Sequence, residues 1–190
     1  MTYTPHPHHF INGVSCLDFA NTVVWRDDPH RCEDRLSSEH DLSAWAAAAK
    51  LAGPEMNLAG AIAMRETIDR YFRSGAKRQG WSDLVALYAE ALAEPDWHFP
   101  RTILHSAFEL AFSPEAVRIK TCGNCGWLFI DRTRNGNKRW CIAEMCGSRT
   151  RSRRYYRSKT RVAQSRRVIP LFQSLAQILI VGRGALAWAT

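Results

Sequence analysis

The chain has 190 residues, of which 46% are apolar and seven are tryptophan, and it carries a net charge of +8. That is enough for one full domain plus a small appended module, and the reading is a soluble globular protein. The opening residues carry no apolar signal core, and the longest apolar run, Val168 to Val181, is interrupted by Pro170, Gln173 and Gln177 and is too short to span a bilayer; the expectation is a cytoplasmic protein with no membrane partner.

In chain order, a strand is expected from His9 to Ser15 with a bend at Gly13, followed by a short helix or buried turn through Cys16 to Val24. His6, His8 and His9 read as part of a mobile terminus rather than as an accessory metal site. After a polar loop from Arg26 to Ser38, Asp41 can cap a helix through Lys50. Gly53-Pro54 breaks that helix and leads into the next, Glu55 to Ser74, whose Leu58, Ile62, Arg65, Ile68 and Phe72 recur at helical spacing. A further helix, Ser82 to Glu94, shows one apolar side, and a short strand is expected at Trp97 to Phe99. A helix from about Thr102 to Phe112 ends at Ser113-Pro114, with one more turn possible in sequence terms toward Ile119.

Near Lys120 the composition changes. From Lys120 to Arg167 there are 14 lysines and arginines against two acids, Asp131 and Glu144, whereas the rest of the chain has 12 against 16. Within that basic stretch lie Cys122-x2-Cys125 and Cys141-x4-Cys146. Two short-spaced pairs supply four soft ligands from two directions, as a tetrahedral metal site requires. The reading is one structural zinc ion held by Cys122, Cys125, Cys141 and Cys146, with no open position for water and hence no chemistry at the metal. Cys16 and Cys32 read as ordinary thiols.

Between the pairs, Gly126 to Asp131 alternates bulky apolar residues as a strand does, Asn135-Gly136-Asn137 is a hairpin signal, and Arg139-Trp140-Cys141 is expected to return as the second strand. Ser148 is placed to cap a helix in which Arg149, Arg153, Arg154, Arg157 and Arg161 share an arc of about 140°. Arg132, Arg134, Lys138 and Arg139 add to the same charge. Arginine-rich segments without acidic neighbours point to a polyanion, and these nine residues are the candidate nucleic-acid contacts, DNA ahead of RNA. The fold class is therefore α+β and predominantly α: a helical domain with a short strand over 1–119, a knuckle-hairpin-helix module of zinc-ribbon or treble-clef type over 120–165, and an apolar tail over 166–190, packed on the core or across a homodimer.

These residues resemble the CGNR zinc-finger family with an N-terminal ABATE domain. Cys122-Gly123-Asn124-Cys125-Gly126-Trp127-Leu128-Phe129-Ile130-Asp131-Arg132-Thr133, then Arg139-Trp140-Cys141, then Cys146-Gly147-Ser148-Arg149 carry the resemblance, with serine at 148 where the name-giving motif has asparagine. Leu17-Asp18-Phe19-Ala20-Asn21-Thr22 and Met64-Arg65-Glu66-Thr67-Ile68 are similar to the family's N-terminal segments. The resemblance implies a bacterial, stress-induced transcription regulator that binds DNA and is no enzyme. The alternative is a small-ligand binder or enzyme using an N-terminal pocket at Asp18, Asn21 and Arg65, in which an Asp18–Arg65 pair grips the ligand. Against catalysis, the chain lacks G-x-S-x-G, Walker and H-E-x-x-H motifs.

Overall fold

The computed structural model describes residues 4–160 apart from positions 95 and 97. Arg161 and the apolar tail 166–190 lie outside the described residues, as does Trp97 of the strand expected at Trp97 to Phe99. The chain divides into two compact units after Gly147. The division does not fall at the composition shift near Lys120, because the strand that follows the first cysteine pair is buried in the main core, with Leu128 and Ile130 both part of it.

The first unit is built on five helices. The shortest, α1 (Ser15–Ala20), is the innermost, with Cys16, Leu17, Asp18, Phe19 and Ala20 all buried. It packs against α3 (Leu58–Arg73) and α5 (Phe99–Phe112), while α4 (Trp81–Ala93) packs on α3 and α5. α2 (Glu39–Ala48) closes the core through Leu42 and Trp45. The centre is aromatic: Phe19 lies 5.0 Å from Trp45 and 5.6 Å from Phe99 by ring centroids. Tilted and edge-on pairs of this kind add to plain burial. No strand forms over the expected His9 to Ser15: a 3-10 turn, Pro7–His9, ends at its start, residues 10–14 are irregular, and Ser15 opens α1.

Helix starts follow capping chemistry more than apolar periodicity. Ser38 caps α2, its hydroxyl accepting from the Asp41 amide at 3.2 Å, so Asp41 sits in the first turn and takes the Ser37 amide and hydroxyl instead of capping. Asn57 caps α3 by accepting from the Gly60 amide at 2.8 Å, which places the start three residues later than Glu55. His98 caps α5, and Phe99 opens that helix rather than ending a strand, with Pro100 in a first turn that has no need of its amide.

Two short antiparallel ladders complete the unit. β1 (Val23–Val24) pairs with β2 (Glu33–Asp34), and β3 (Ile119–Thr121) pairs with β4 (Leu128–Ile130) with Lys120 opposite Phe129. In the second unit, residues 148–160 form a helix, α6. Among the described residues no helix is long and apolar enough to cross a membrane.

Candidate metal centre and basic segment

The first cysteine pair occupies the turn between β3 and β4. The Cys122 amide donates to the Trp127 carbonyl at 2.8 Å and the Gly126 amide to the Cys122 carbonyl at 3.0 Å, closing a tight knuckle. Gly126 stands at φ 77°, a left-handed conformation that a side chain resists. The second pair brackets a wide turn, Ala143–Gly147, in which the Cys146 amide donates to Ile142 at 2.9 Å. Between the knuckles stands the indole of Trp140, so close to both that a β-carbon on either Gly123 or Gly147 would fall 3.1 Å from the ring. These glycines let the two pairs converge.

All four ligand sulfurs lie within 4.8 Å of one another, with Cys125–Cys141 and Cys141–Cys146 each at 3.6 Å. A zinc ion bound at about 2.3 Å by four thiolates sets sulfur–sulfur edges near 3.8 Å, close to the two 3.6 Å edges here. The cysteines are buried, and hydrogen bonds from Cys125, Cys141 and Cys146 drive the Cys122 thiol toward its ionised form. Four ionised sulfurs this close repel one another strongly, and a divalent cation at their centre removes that repulsion. The site is that of one structural zinc ion. Asn124 supports it from outside, its amide nitrogen donating to the Cys146 sulfur at 3.4 Å.

β4 joins this centre to the helical body. Its side chains alternate as a strand requires: Leu128 and Ile130 enter the main core, while Trp127 and Phe129 pack with the four cysteines and Val24. The strand's outer edge is met by two asparagine side chains from the start of the chain. Asn21 accepts from the Leu128 amide at 2.8 Å and donates to its carbonyl at 2.9 Å, and Asn12 accepts from the Ile130 amide at 3.3 Å. Trp127 donates to the Val23 carbonyl at 3.1 Å, and the Trp25 amide, on a backbone at φ 56°, donates to the Cys125 carbonyl at 2.7 Å. Asn12 was not singled out from the sequence; its partners on and beside β4 are more than 110 residues away, and no local pattern marks it.

The expected hairpin between the pairs is corrected. β4's partner is Ile119–Thr121, before the first cysteine, and residues 139–141 form no strand. The reason is Asp131, fully buried, whose carboxylate accepts from the Thr133 amide and hydroxyl, the Lys138 amide and the Lys120 ammonium. Those bonds, the Lys120 contact first, hold the carboxyl well below the usual range. The connecting segment folds around an anion, so its amides are not offered to a ladder.

The basic candidates separate into two kinds. Arg132 forks onto Glu115 at 2.6 and 3.0 Å and donates to the Asn12 carbonyl at 2.9 Å, and the Lys138 ammonium lies 5.4 Å over the Phe129 ring. Arg118 donates to the carbonyls of Asp131 and Thr133. These cations serve the fold. Arg134 and Arg139 are exposed, as are Arg149, Arg153, Arg154 and Arg157 on α6, where residues 151–160 all face solvent and no acid occurs. On α6, Ser148 accepts from Arg151 at 3.1 Å, Tyr155 and Tyr156 stack edge-on at 5.7 Å, and Lys159 lies 4.7 Å over Tyr155.

The proposed Asp18–Arg65 pairing is not what the structure builds. Arg65, 2% exposed, forks onto Asp34 with two bonds of 2.7 Å and also meets Glu66 and Thr22. Asp18 accepts from the backbone and side-chain amides of Asn12 at 3.1 and 3.0 Å, and burial lifts its carboxyl to about 6 despite these bonds. Asn21 is committed to β4. Each of the three residues has its own structural partner, and of them only Asn21 reaches the strand that leads from the metal centre. His9 is likewise no part of a loose terminus: it is buried edge-on against Trp127 at 6.1 Å, and burial, then the charge of Arg35, pushes its imidazole down to about 3. The leftover thiols differ, Cys16 buried and raised to about 12, Cys32 exposed.

Two family models match the chain. Residues 118–159 match the CGNR zinc finger, and residues 13–106 match ABATE, described as "Putative stress-induced transcription regulator". No curated protein and no solved structure gives a significant match.

Proposed function

We propose that this protein, which belongs to the family joining an N-terminal ABATE domain to a CGNR zinc finger, is a bacterial transcription regulator that binds DNA through the arginines of α6, acting in the cytoplasm and not as an enzyme. The observation that carries this reading is the contrast in how arginine is used. Those within residues 118–132 are spent on carbonyls and carboxylates of the fold, whereas α6 presents Arg149, Arg153, Arg154 and Arg157 to solvent on a helix without a single acid. An exposed charge run of this kind has a phosphate backbone as its natural complement.

The chain's residues divide the work. Cys122, Cys125, Cys141 and Cys146 hold the ion, which when bound supplies a tetrahedral cross-link between two segments and no reactive position. Asn12, Asn21 and Trp25 anchor the first knuckle to the helical body. α6 begins two residues after the fourth ligand. Guanidinium groups then take phosphate oxygens two at a time, and Tyr155 or Tyr156 can lie against a sugar or base. Duplex DNA is favoured over RNA because a single exposed helix fits a major groove, whereas the deep groove of A-form RNA closes against one.

The test is binding of the full-length, zinc-loaded protein to genomic DNA fragments at several salt concentrations. Five neutralised phosphates give a log–log slope of about −4.5. Affinity that ignores salt, or that is unchanged in Cys141→Ser, overturns the reading.

A further inference from the structure

We propose that the outer face of α4 and α5 is an interface at which two copies of this chain pair about a twofold axis. Trp81, Val85, Tyr88 and Leu92 follow one another on α4 at intervals of four, three and four residues and so form a single stripe. Phe108 and Phe112 of α5 continue it: Trp81 stacks 5.3 Å from Phe108 and 5.8 Å from Phe112, and Tyr88 stacks 4.4 Å from Phe108. α4 meets its own core through Leu84 and Ala91, and Trp81 and Tyr88 pack half-buried at the margin of that core. The outer part of the stripe is left open, with Val85 40%, Leu92 47% and Phe112 72% exposed. A continuous apolar and aromatic surface of this kind marks an interaction site, and tryptophan and tyrosine are the residues that dominate such interfaces.

Symmetry identifies the partner. Trp81 with Leu92, and Val85 with Tyr88, are both centred on the same point, between Ala86 and Leu87. A second copy running antiparallel about an axis through that point lays Trp81 on Leu92 and Val85 on Tyr88, apolar on apolar along the whole stripe. The charges flanking α4 favour the same antiparallel arrangement. Lys77 and Arg78 precede the helix, Glu94 and Asp96 follow it, and all four are exposed. An antiparallel second copy brings the end of α4 that follows Lys77 and Arg78, the latter lying 4.7 Å over its own Trp81 ring, toward the end that precedes Glu94 and Asp96, so each end of the pair meets opposite charge. A parallel pairing would set cation on cation and anion on anion. A polyanionic partner would gain from one end and be repelled by the other, which separates this surface from the proposed DNA contacts on α6.

The inference does not depend on nucleic-acid binding, since a chain that ignores DNA can still dimerise. Sedimentation velocity on the full-length, zinc-loaded protein across roughly 1 to 100 µM should show a dimer. Val85→Glu combined with Leu92→Glu should weaken association by at least about 100-fold, with the far-ultraviolet circular dichroism and zinc content unchanged. Should that pair fail to fold, the exposed end charges decide alone: Lys77→Asp and Asp96→Lys each weaken the dimer, and the double swap restores it to within about threefold of wild type. A monomeric wild type overturns the proposal. So does a dimer that survives the glutamate pair, which would place the association elsewhere, including beyond residue 160, and so does a swap that fails to restore pairing.

Discussion

Residues 118–132 and residues 148–160 are both rich in arginine and lysine, yet the structure treats them oppositely. In the first, Arg118 spans two carbonyls, Lys120 meets a fully buried Asp131, and Arg132 forks onto Glu115. In the second, residues 151–160 are all exposed. The lesson is that charge density by itself says little about a cation's role, which is set by whether an acceptor lies within reach. Around β3 and β4, burial supplies carboxylates and free carbonyls, and each must find a donor. Among the described residues of α6 the backbone carbonyls are bonded along the helix and no acid is present, so its arginines face solvent with no carboxylate of their own helix.

The sharpest way to break this comparison is to remove the metal. Cys141→Ser should destabilise the first unit by an amount approaching the roughly 10 kcal/mol that structural zinc contributes in small modules. Because Leu128 and Ile130 lie in the main core, the loss should spread beyond the knuckles. Hydrogen exchange should rise at the amides of α1 and at β4, while α6, which has no buried residue beyond its first turn, changes little. Exchange that rises only over residues 122–147 would show that the helical body stands without the metal.

How much of this could be read from sequence depends on the range of the interaction. The cysteine spacing named all four ligands because tetrahedral thiolate binding constrains local pattern directly, and the helices were legible from apolar recurrence. Their starts were less so, since Ser38, Asn57 and His98 compete as caps with neighbouring polar residues, and only the hydrogen bonds decide. β3 was missed because three residues, Ile119–Thr121, hold too little alternation to register, while Asn135-Gly136-Asn137 looked like a hairpin. The buried Asp131 had already claimed the amides that hairpin needed. Asn21 and Arg65 stood out from the sequence but their roles did not, because the partners that define those roles, like the β4 partner of Asn12, stand 31 to 118 residues away.

That fork gives the next largest effect. Arg65→Met removes a buried cation that holds Asp34, Glu66 and Thr22 together, and about 3 kcal/mol should be lost in denaturant unfolding. Arg65→Lys keeps the charge but not the two parallel bonds, and should still cost over 1 kcal/mol. If lysine proves neutral, the fork is merely a charge and not a geometric clamp.

Asp18 supplies a smaller and pH-dependent effect. Its folded carboxyl stands near 6, raised by burial from 3.8, so the folded state holds a proton that the unfolded chain has released across that window. Stability from this group is therefore complete below pH about 4, declines as pH rises through 6, and is flat above, with a total of up to about 3 kcal/mol. Asp18→Asn keeps an acceptor for the Asn12 amides and removes the titration, so unfolding free energy against pH should lose this descending limb between 4 and 6. A limb that persists in the variant must belong to another group.

The smallest stability change discriminates the two arginine-rich regions most directly. Arg154→Ala and Arg157→Ala, both on the exposed part of α6, should each alter unfolding by less than about 0.5 kcal/mol. Each should nevertheless shrink the magnitude of the salt slope for DNA binding by about 0.9 for every phosphate contact it made. Arg132→Ala should do the reverse: it gives up the Glu115 fork and the Asn12 carbonyl, costs about 1 kcal/mol of stability, and leaves the salt slope where it was. Measured side by side, these variants separate a cation that holds the protein together from one that waits for a partner. A salt slope that falls with Arg132 and not with Arg154 or Arg157 would transfer the DNA contact from α6 to the segment around the metal.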